Sequence, residues 1–471
     1  MSREGKLAKN TLILSIGTFL PRLASFITMP ILTGYLTKVE YGTYDLITVL
    51  VSLFLPTITL QIQTAAFRFL VDCRDDETEV SKIVSTIIFF IIPVSLAALL
   101  ILYFFLPGDN TAVKIFICLF FFADINVNAL RLICRGLNYN LTYSISAILS
   151  SLGRMIFTVI CVYWLRTGLL GTVISLFVSS MISVVFLMVK SRVYRHISLS
   201  YFDVTTLKNM LNYSWPMVPN SMSAWVMRLS DRLVVTAFMG VSANAVYAVA
   251  NKIPSLLNIA QNTFTMAWQE NASIVSKDSD ASEYYSSMFN TMFKLMAGFF
   301  GILIAATPVL FKLLIRGEYD EAYFQIPVLF VAMFFFGMST FLGGIYVAYK
   351  RSKSVGITTT AAAVCNLVTD LAAIKYIGLF AASGSTLISY IFLFVFRLID
   401  VQKIVKVKYD LKQMIGILLI ILTESVFCFL RRRILNIVNL ILGIVFFFVL
   451  NKDFVKAVLN KANSMIRKKT A

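Results

Sequence analysis

Ten charged side chains lie inside long apolar segments of the sequence, away from the first and last few residues of each segment. Six of them fall near the middle of a segment: Arg22, Asp124, Arg154, Arg228, Asp231 and Arg232. Four lie nearer the segment ends: Lys252, Lys294, Asp370 and Glu424. A charge at the centre of a bilayer costs at least about 2.5 kcal/mol, so a charge embedded in a membrane indicates a functional role. Six of the ten are basic, and the planar arginine fork suits phosphate, so the set predicts a positive cavity that binds an anion.

Pairing within single helices leaves two arginines without a partner. Arg228 and Asp231 are three residues apart and share a helix face, so they either neutralise each other or form a switchable pair. Arg22 and Arg154 have no acidic neighbour in their own helix turn. Each needs a partner from another helix, such as Asp124, or an anion from outside. The predicted substrate-binding charges are Arg22, Arg154, Arg228, Arg232 and Lys252.

Polar residues recur at helical spacing along two of the apolar segments. In the eighth segment they are Asn251, Ser255, Asn258 and Asn262, with Lys252 beside them. In the second segment they are Asp45, Thr48, Ser52, Thr59 and Gln63. Because lipid cannot hydrogen-bond these groups, each stripe must face protein or water. For the eighth segment we favour a water-filled, substrate-binding cavity, whereas a cavity and polar helix–helix contacts are equal alternatives for the second.

The sequence also limits how transport could be driven. It contains no GxxxxGK[ST] phosphate-binding loop, so ATP is not predicted as the direct energy source. An ion gradient or the membrane potential remains, and the potential supplies about 2.3 kcal/mol per charge per 100 mV. Asp124, Asp231 and Glu424 are the candidate proton or sodium sites. A single histidine, His196, and the lack of a CxxC pair predict no metal centre, and we expect no cofactor.

Composition determines which elements must hold these residues. Of 471 residues, 58% are hydrophobic and only 14% are charged, and the mean hydropathy is +0.81. Soluble domains carry about 25% charged residues. Soluble enzymes, disordered chains and secreted disulfide scaffolds are therefore excluded. The net charge of +18 does not indicate nucleic-acid binding, because Lys and Arg lie mainly in the short gaps between apolar segments.

Fourteen apolar segments approach the length of about 20 residues that crosses a bilayer. They predict an all-α, polytopic membrane protein. The segments are 11–36, 46–67, 84–106, 113–133, 145–165, 169–189, 214–238, 245–267, 288–314, 326–348, 355–374, 378–399, 413–430 and 434–450. Twenty-seven of the 42 Lys and Arg residues lie in or beside the two tails and the even-numbered loops. By the positive-inside rule both termini are cytoplasmic, and we expect the chain in the inner (cytoplasmic) membrane.

The first two segments and the seventh and eighth are similar at an offset near 200 residues. Each opening segment has an early proline, Pro21 or Pro219, and each following segment begins at a tyrosine, Tyr41 or Tyr247. Parallel repeats of this kind are a transporter arrangement. They predict two pseudo-symmetric six-helix lobes plus two C-terminal helices, which are either full spans or a shallow hairpin. The expected domains are 1–200, 201–405, 406–452 and a basic cytoplasmic tail, 453–471.

Short motifs at the start of each repeat carry a family resemblance. The sequence reads FLPR at 19–22, PIL at 30–32 and EYGTYD at 40–45, and later SWPMVPN at 214–220 and SDR at 230–232. These motifs resemble those of polysaccharide and O-antigen flippases in the multidrug/oligosaccharidyl-lipid/polysaccharide exporter superfamily. The resemblance implies a flippase that moves an undecaprenyl-pyrophosphate-linked oligosaccharide from the inner to the outer leaflet by alternating access. It also implies cavity charges at Arg22, Asp231 and Arg232.

Two other classes of protein remain as alternatives. A multidrug/cation antiporter of the same superfamily would present acidic rather than arginine-rich lobes to its substrate. A membrane polysaccharide polymerase or glycosyltransferase would need catalytic residues in large outside loops, whereas the longest one here, from about Lys312 to Gln325, is short. We therefore predict a transporter without catalytic residues. Its expected partners are the lipid-linked oligosaccharide, membrane lipids and other polysaccharide assembly proteins.

Overall fold

The computed structural model describes most of the chain. It covers residues 17, 20–21, 23–106, 109–255, 257–452 and 454–456. Within these ranges the side chains of residues 220, 257–260, 262–263, 266–267 and 352 are left out of the description. Arg22 and the side chains of Asn258 and Asn262, all predicted to bind substrate, therefore lie outside the described residues.

The described residues form seventeen α-helices. In chain order these are α1 (Leu23–Tyr35), α2 (Lys38–Ile58), α3 (Ile62–Asp72), α4 (Glu77–Phe105), α5 (Thr111–Gly136), α6 (Asn140–Thr158), α7 (Gly168–Ser191), α8 (Val204–Ser214), α9 (Met217–Met239), α10 (Val241–Ser255), α11 (Leu257–Val275), α12 (Ala281–Leu314), α13 (Asp320–Ala348), α14 (Ser352–Ile377), α15 (Leu379–Asp400), α16 (Leu411–Phe429) and α17 (Arg433–Leu450). A π-helix extends α6 through Trp164.

Eleven of the described helices are long and apolar enough to cross a membrane. The predicted all-α, polytopic membrane fold is confirmed. The first, seventh and eighth predicted spans fall outside these eleven, and the seventh, α9, carries Arg228, Asp231 and Arg232 within 23 residues. At the other end of the chain, α16 and α17 have 19 and 18 residues. Both are among the eleven helices long and apolar enough for full spans, and the choice between full spans and a shallow hairpin stays a prediction.

The second predicted span, 46–67, is interrupted rather than continuous. Near its end α2 contains Pro56, which has no backbone N–H to donate. Leu60 and Gln61 then adopt left-handed backbone angles, with φ of 47° and 58°, so the helix ends before α3 begins. In the eighth predicted span, 245–267, α10 contains Pro254, which likewise has no backbone N–H to donate. The polar stripe of the second span therefore lies on an interrupted helix, whose freed backbone groups require polar partners.

The described chain divides into two compact units. Unit 1 comprises Met1–Leu229 with Val241–Ala245, and unit 2 comprises Ser230–Gly240 with Val246–Ala471. In unit 1, α7 packs against α5 and α6, and α3 packs against α5. The residues that fill this core are fully buried and aliphatic, among them Ile62, Leu70, Val84, Ile133 and Leu176. This packing fixes α5 and α6. The predicted lobe boundaries at 200 and 405 stay a prediction.

Unit 2 is built around α13. In the most apolar 18-residue stretch of α13, 78% of the residues are buried, which is the largest share among the eleven described helices that could span a membrane. It packs against α11, α12 and α15, while α14 packs against α15 and α17 against α12. Phenylalanine rings fill much of the space, as where Phe293 meets Phe334 edge-on with 5.1 Å between ring centroids. The helices that carry the buried acidic residues of unit 2 are thereby held in place.

A buried arginine joins three helices of unit 2. Arg397 of α15 is only 4% exposed. It donates to the Ser339 carbonyl of α13 at 2.8 Å and to the hydroxyls of Thr358 and Thr359 on α14 at 3.1 and 3.0 Å. Gly343 leaves room for it, since a Cβ there would lie 2.8 Å from the guanidinium. All these partners are neutral, so Arg397 stabilises helix packing rather than binding an acidic side chain.

Candidate functional site

Unit 1 contains a polar cavity of about 600 Å³ between helices that are otherwise apolar. Its walls come from α2, α3, α5, α6 and α9. The charged and amide-bearing residues that line it are Gln61, Gln63, Asp124, Asn128, Arg154 and Arg228. Two arginines and one aspartate give the lining a net positive formal charge. We refer to this space as the cationic cavity.

The break between α2 and α3 brings an amide into the cavity wall. Gln61, at the break, donates its side-chain nitrogen to Ser221 Oγ at 3.0 Å and accepts from Thr64 Oγ1 at 3.0 Å. Trp225 Nε1 donates to Ser52 Oγ at 3.1 Å. These bonds join the broken helix to α9, so the polar groups that the break frees become part of the cavity lining.

The polar stripe of the second span is thereby divided between two roles. Thr48, Ser52 and Gln63 line the cationic cavity, and Gln63 Oε1 is buried without a hydrogen-bond donor among the described residues. Thr59 instead donates to the Leu55 carbonyl of its own helix at 2.8 Å. The sequence left a cavity and helix contacts as equal alternatives, and the structure places most of this stripe on a cavity.

Arg154 of α6 lines the cationic cavity and also a smaller cavity of about 170 Å³. Its Nε is buried and donates to no acceptor among the described residues. Asp124 and the hydroxyl of Tyr44 are its electrostatic neighbours. Within the described part of the chain, however, Arg154 and Asp124 form no salt bridge. No acidic side chain among the described residues therefore neutralises this guanidinium by a direct ion pair.

Arg131 of α5 is a second arginine of this region, which the sequence pattern did not single out. It lines the smaller cavity together with Arg154. It donates to both the hydroxyl and the carbonyl of Ser146 at 3.1 Å. Asp124, Asn128 and Arg131 are spaced i, i+4 and i+7 on α5, so helical periodicity could have identified it. Its position at the end of the fourth predicted span made it resemble a loop residue.

Arg228 and Asp231 do not pair as their spacing allowed. Arg228 is exposed at the cavity wall and donates Nε to the Ala224 carbonyl at 3.1 Å. Asp231 is 4% exposed and accepts from Tyr247 Oη at 2.8 Å and Thr386 Oγ1 at 2.7 Å instead. The two side chains therefore form no ion pair in this structure, because the Asp231 carboxylate is bound by hydroxyl donors from α10 and α15. A switchable pair stays a prediction.

Asp231 belongs to a buried polar group within unit 2, which we call the acidic cluster. Its members are Asp231 on α9, Tyr247 on α10, Asn366 and Asp370 on α14, and Thr386 on α15. Oriented with its amide nitrogen toward Asp231, Asn366 donates to Oδ1 at 2.8 Å and accepts from the Thr386 backbone N–H at 3.3 Å. Arg232 is an electrostatic neighbour of Asp231 and Tyr247. The Asp231 carboxylate thus has a donor on each oxygen.

Asp370 is the unusual member of the acidic cluster. It is fully buried, and neither carboxylate oxygen accepts a hydrogen bond from the described residues. It lies one helix turn after Asn366, and Asp231 is its electrostatic neighbour. Two buried carboxylates require compensation by a proton or a cation. Carboxylate, amide and hydroxyl oxygens are ligands suited to a hard cation. Asn366 and Asp370, four apart in an apolar segment, were a sequence signal for this site.

Glu424 of α16, another predicted ion site, has a different environment. It is 1% exposed, and both carboxylate oxygens lack a donor among the described residues. The carboxyl group lies against two glycines, because a Cβ on Gly301 or Gly443 would lie 2.7 Å or 3.4 Å from one of its oxygens. The nearby amide of Asn439 donates to the Glu424 backbone carbonyl at 2.9 Å, not to the carboxylate. The surroundings therefore suit a neutral carboxylic acid.

The eighth predicted span shows helix contacts where its side chains are described. Gln261 Nε2 donates to the Met333 carbonyl of α13 at 3.0 Å, so this amide serves helix packing. Asn251 and Lys252 are half-buried in the last turns of α10. Ser255 donates to the Lys252 carbonyl at 2.7 Å. A cavity role for Asn251 and Lys252 stays a prediction.

The fold of the chain is similar to that of solved membrane transport proteins. The lipid II flippase MurJ, in an inward closed conformation, has a TM-score of 0.70 at 15% identity, over 95% of this chain and 100% of that chain. An inward-facing multidrug resistance MATE family transporter of the MOP superfamily has a TM-score of 0.63 at 13% identity, over 81% and 98%. A MOP superfamily transporter from Pyrococcus furiosus, reported with a binding pocket of reverse polarity, has a TM-score of 0.55 at 13% identity, over 84% and 95%.

The sequence itself matches one family. No curated protein sequence matches the chain at a significant level. A family model described as polysaccharide biosynthesis protein matches residues 7–269, more than half of the chain. This stretch contains the whole lining of the cationic cavity and also Asp231. The resemblance seen in the short motifs is confirmed, and the chain belongs to the polysaccharide biosynthesis protein family.

Proposed function

We propose that the protein is a flippase for an undecaprenyl-pyrophosphate-linked oligosaccharide, such as an O-antigen, capsule or exopolysaccharide repeat unit. It moves this lipid from the inner to the outer leaflet by alternating access, driven by an ion gradient or the membrane potential. The observation that carries the proposal is the cationic cavity, whose lining includes Arg154 and Arg228, neither of which forms a salt bridge within the described residues. Membership of the polysaccharide biosynthesis family and the fold shared with a lipid II flippase support it.

The charge of the cavity fits a pyrophosphate. A pyrophosphate that leaves water for a low-dielectric space needs fixed positive partners, because bulk screening is absent there. Arg154 offers a buried guanidinium, and Arg228 offers a second one at the wall of the same cavity. Gln61, Gln63 and Asn128 add neutral amides to the lining. Their N–H groups can donate to phosphate or sugar oxygens, and their oxygens can accept from sugar hydroxyls. Arg22 is a further proposed residue of this site, and in unit 2 the proposed substrate-binding residues are Arg232, Lys252, Asn251, Asn258 and Asn262.

The acidic cluster is the proposed site of ion coupling. Asp231 and Asp370 are buried together, and Arg232, the basic neighbour of Asp231, can balance only one of the two negative charges. The closed cluster therefore needs a proton or a further cation. Of the other two predicted sites, Asp124 lines the cationic cavity and reduces its positive charge. Glu424 is surrounded by glycine and apolar residues and offers an ion no further charged ligand. The cluster is therefore the better candidate.

A multidrug/cation antiporter is the second candidate from the same fold. A cationic drug would be repelled by a lining with two arginines and one aspartate, so the sign of the cavity favours an anion. A polymerase or glycosyltransferase would need reactive carboxylates within reach of its substrate. Asp124 is the only carboxylate in the described lining of the cationic cavity, and we propose no catalytic residue.

The proposal includes a location and partners. We propose that the chain lies in the inner (cytoplasmic) membrane with both termini in the cytoplasm, which the distribution of Lys and Arg supports. Its partners are the lipid-linked oligosaccharide, the surrounding lipids and other polysaccharide assembly proteins. An impermeant thiol reagent applied to intact cells tests the orientation at Cys substitutions of Ser2 and Thr470. Labelling of either would contradict it.

The experiment that tests the function is a leaflet-resolved flipping assay in proteoliposomes. The full chain is supplied with a lipid-pyrophosphate oligosaccharide, and a parallel assay uses the same glycan on a neutral lipid. We expect flipping of the pyrophosphate lipid only, and its loss in Arg154→Ala. Arg195→Ala, an exposed arginine away from the cavity, is the matched control and should flip normally. Equal flipping of both lipids, or selective transport of a cationic drug, would refute the proposal.

A further inference from the structure

A second basic site lies in unit 2, at the end where α12 finishes and α17 begins. A groove of about 940 Å³ runs there between α12, α13 and α17. Its basic lining residues are Lys312, Arg431 and Arg433. None of them belongs to the cationic cavity or to the acidic cluster. We call this space the α12–α17 groove.

Arg431 is already bound by its own protein. It donates to Asp320 at 2.6 Å, and its guanidinium lies over the Tyr323 ring, 4.9 Å from the centroid. Its backbone is left-handed, with φ of 49°, in the turn between α16 and α17. These contacts tie the turn to the start of α13. Arg431 is therefore a structural residue that shapes one end of the groove.

Lys312 and Arg433 are in a different situation. Both are exposed, and neither has a hydrogen-bond or ion-pair partner among the described residues. Arg433 is also the first residue of α17, and Arg432 before it makes no side-chain cap. The unpaired backbone N–H groups of a helix start add positive potential to the two side chains. The polar end of the groove is thus complementary to an anion.

The walls of the same groove are apolar and uncovered. Val309 and Leu313 of α12 are 58% and 67% exposed, and Ile437 of α17 is 55% exposed. Apolar side chains on a membrane-spanning helix that no protein covers are in contact with acyl chains. A soluble anion would leave this apolar length empty. A lipid with a charged head and a hydrocarbon tail would use both parts.

We propose that the α12–α17 groove binds an anionic phospholipid, with the phosphate at Lys312 and Arg433 and an acyl chain along α12 and α17. Charge complementarity identifies the headgroup, and the exposed apolar walls identify the tail. Three consecutive arginines at 431–433 otherwise oppose the positive-inside pattern of the chain. A bound anionic lipid gives this basic turn a role that topology does not. The site is independent of the proposed substrate cavity.

Lipid titration followed by native mass spectrometry tests the proposal. The full chain in neutral detergent is titrated with phosphatidylglycerol and, separately, with phosphatidylcholine. We expect the wild-type chain to bind phosphatidylglycerol more tightly than phosphatidylcholine. The double variant Lys312→Gln/Arg433→Gln should bind phosphatidylglycerol about tenfold more weakly, because each of these basic residues attracts the anionic headgroup. Arg432→Gln, in the same turn but outside the groove lining, should change its binding by less than about twofold. Unchanged phosphatidylcholine binding shows that the double variant is folded.

Three results would overturn the proposal. One is equal binding of the two lipids to the wild-type chain. Another is an equal loss with Arg432→Gln, which would indicate general attraction to a basic turn. The third is complete displacement of phosphatidylglycerol by glycerol 3-phosphate, which would show a phosphate site without a lipid tail. If the double variant does not fold, Arg433→Gln alone is measured, and an unchanged phosphatidylglycerol affinity counts against the site.

Discussion

The cationic cavity of unit 1 and the acidic cluster of unit 2 hold charge in opposite ways. In the cavity, Arg154 and Arg228 border about 600 Å³ of open space, and the Arg154 Nε has no acceptor among the described residues. In the cluster, Asp231 is closed in by Tyr247 and Thr386 at 2.8 and 2.7 Å. One site has room and spare donors, whereas the other has little room and a surplus of acceptors.

This difference indicates what each site can bind. An open cavity with guanidinium donors suits a large anion that brings many acceptor oxygens. A closed group of carboxylate, amide and hydroxyl oxygens suits only a proton or a single cation. Binding at the first site would therefore select the substrate, and binding at the second would supply the energy. Substitutions in each site should therefore affect different steps of transport.

The largest effect is expected from Arg154. Arg154→Ala should lower the flipping rate about hundredfold, because truncating one partner of a desolvated ion pair costs about 2–5 kcal/mol. Arg154→Lys should retain part of the activity, since it keeps the charge but loses the bidentate fork. The leaflet-resolved assay measures both, with membrane insertion checked by extraction. Wild-type flipping by Arg154→Ala would make the arginine structural.

Because water reaches the cationic cavity but not the acidic cluster, a cysteine in the cavity should react with a thiol reagent about tenfold faster, or more, than one in the cluster. Ser52 lines the cationic cavity, whereas Ser385 is 1% exposed beside Asn366 of the acidic cluster. In a background without native cysteines, Ser52→Cys should react with a water-soluble thiol reagent and Ser385→Cys should not. The two substitutions are chemically matched. Comparable labelling rates would show that the cluster is not closed to water.

Asp370→Asn should uncouple transport from its driving force. We expect the rate under an imposed ion gradient to fall about tenfold, to the rate measured without a gradient. Asp231→Asn should act in the same direction, because the two carboxylates share the cluster. Asp75→Asn, an exposed carboxylate in the loop before α4, is the control and should keep full gradient dependence. Gradient-driven flipping by both cluster variants would exclude the cluster as the coupling site.

Asp124 tests whether the positive charge of the cationic cavity determines substrate affinity. Asp124→Asn removes the acidic charge from the lining of the cationic cavity, so the affinity for the lipid-pyrophosphate substrate should rise about threefold. Binding is measured with the purified chain and the labelled lipid. If Asp124 is instead the coupling residue, the variant will bind normally and lose its response to a gradient.

The smallest effect is expected at Glu424. Glu424→Gln replaces a carboxyl that has no donor among the described residues with a neutral group of the same shape, so flipping should stay within about twofold of wild type. The same gradient assay measures it. A loss of coupling as large as that of Asp370→Asn would make the α12, α16 and α17 region a coupling site as well.

The sequence by itself determined the class of fold and much of the candidate chemistry. Apolar segments of about 20 residues predict spans one by one, because the cost of placing a segment in lipid depends mainly on that segment's own composition. The same reasoning made Arg154, Asp124 and Asp231 conspicuous, since each is a charge within such a segment. Composition also explains why α9, with three charged residues among 23, is not one of the eleven helices apolar enough to cross a membrane.

Only the tertiary structure decided which of these residues act together. Spacing placed Arg228 and Asp231 on one helix face, but Asp231 takes its donors from α10 and α15. Asp370 became important because α14, which carries it, packs against α15 and brings it near Asp231. Gln61 became important because the α2–α3 break turns it toward Ser221. Helical periodicity gives the face on which a side chain lies and not the partner it meets there. That partner depends on how several helices pack, which is a property of the whole unit rather than of any one segment.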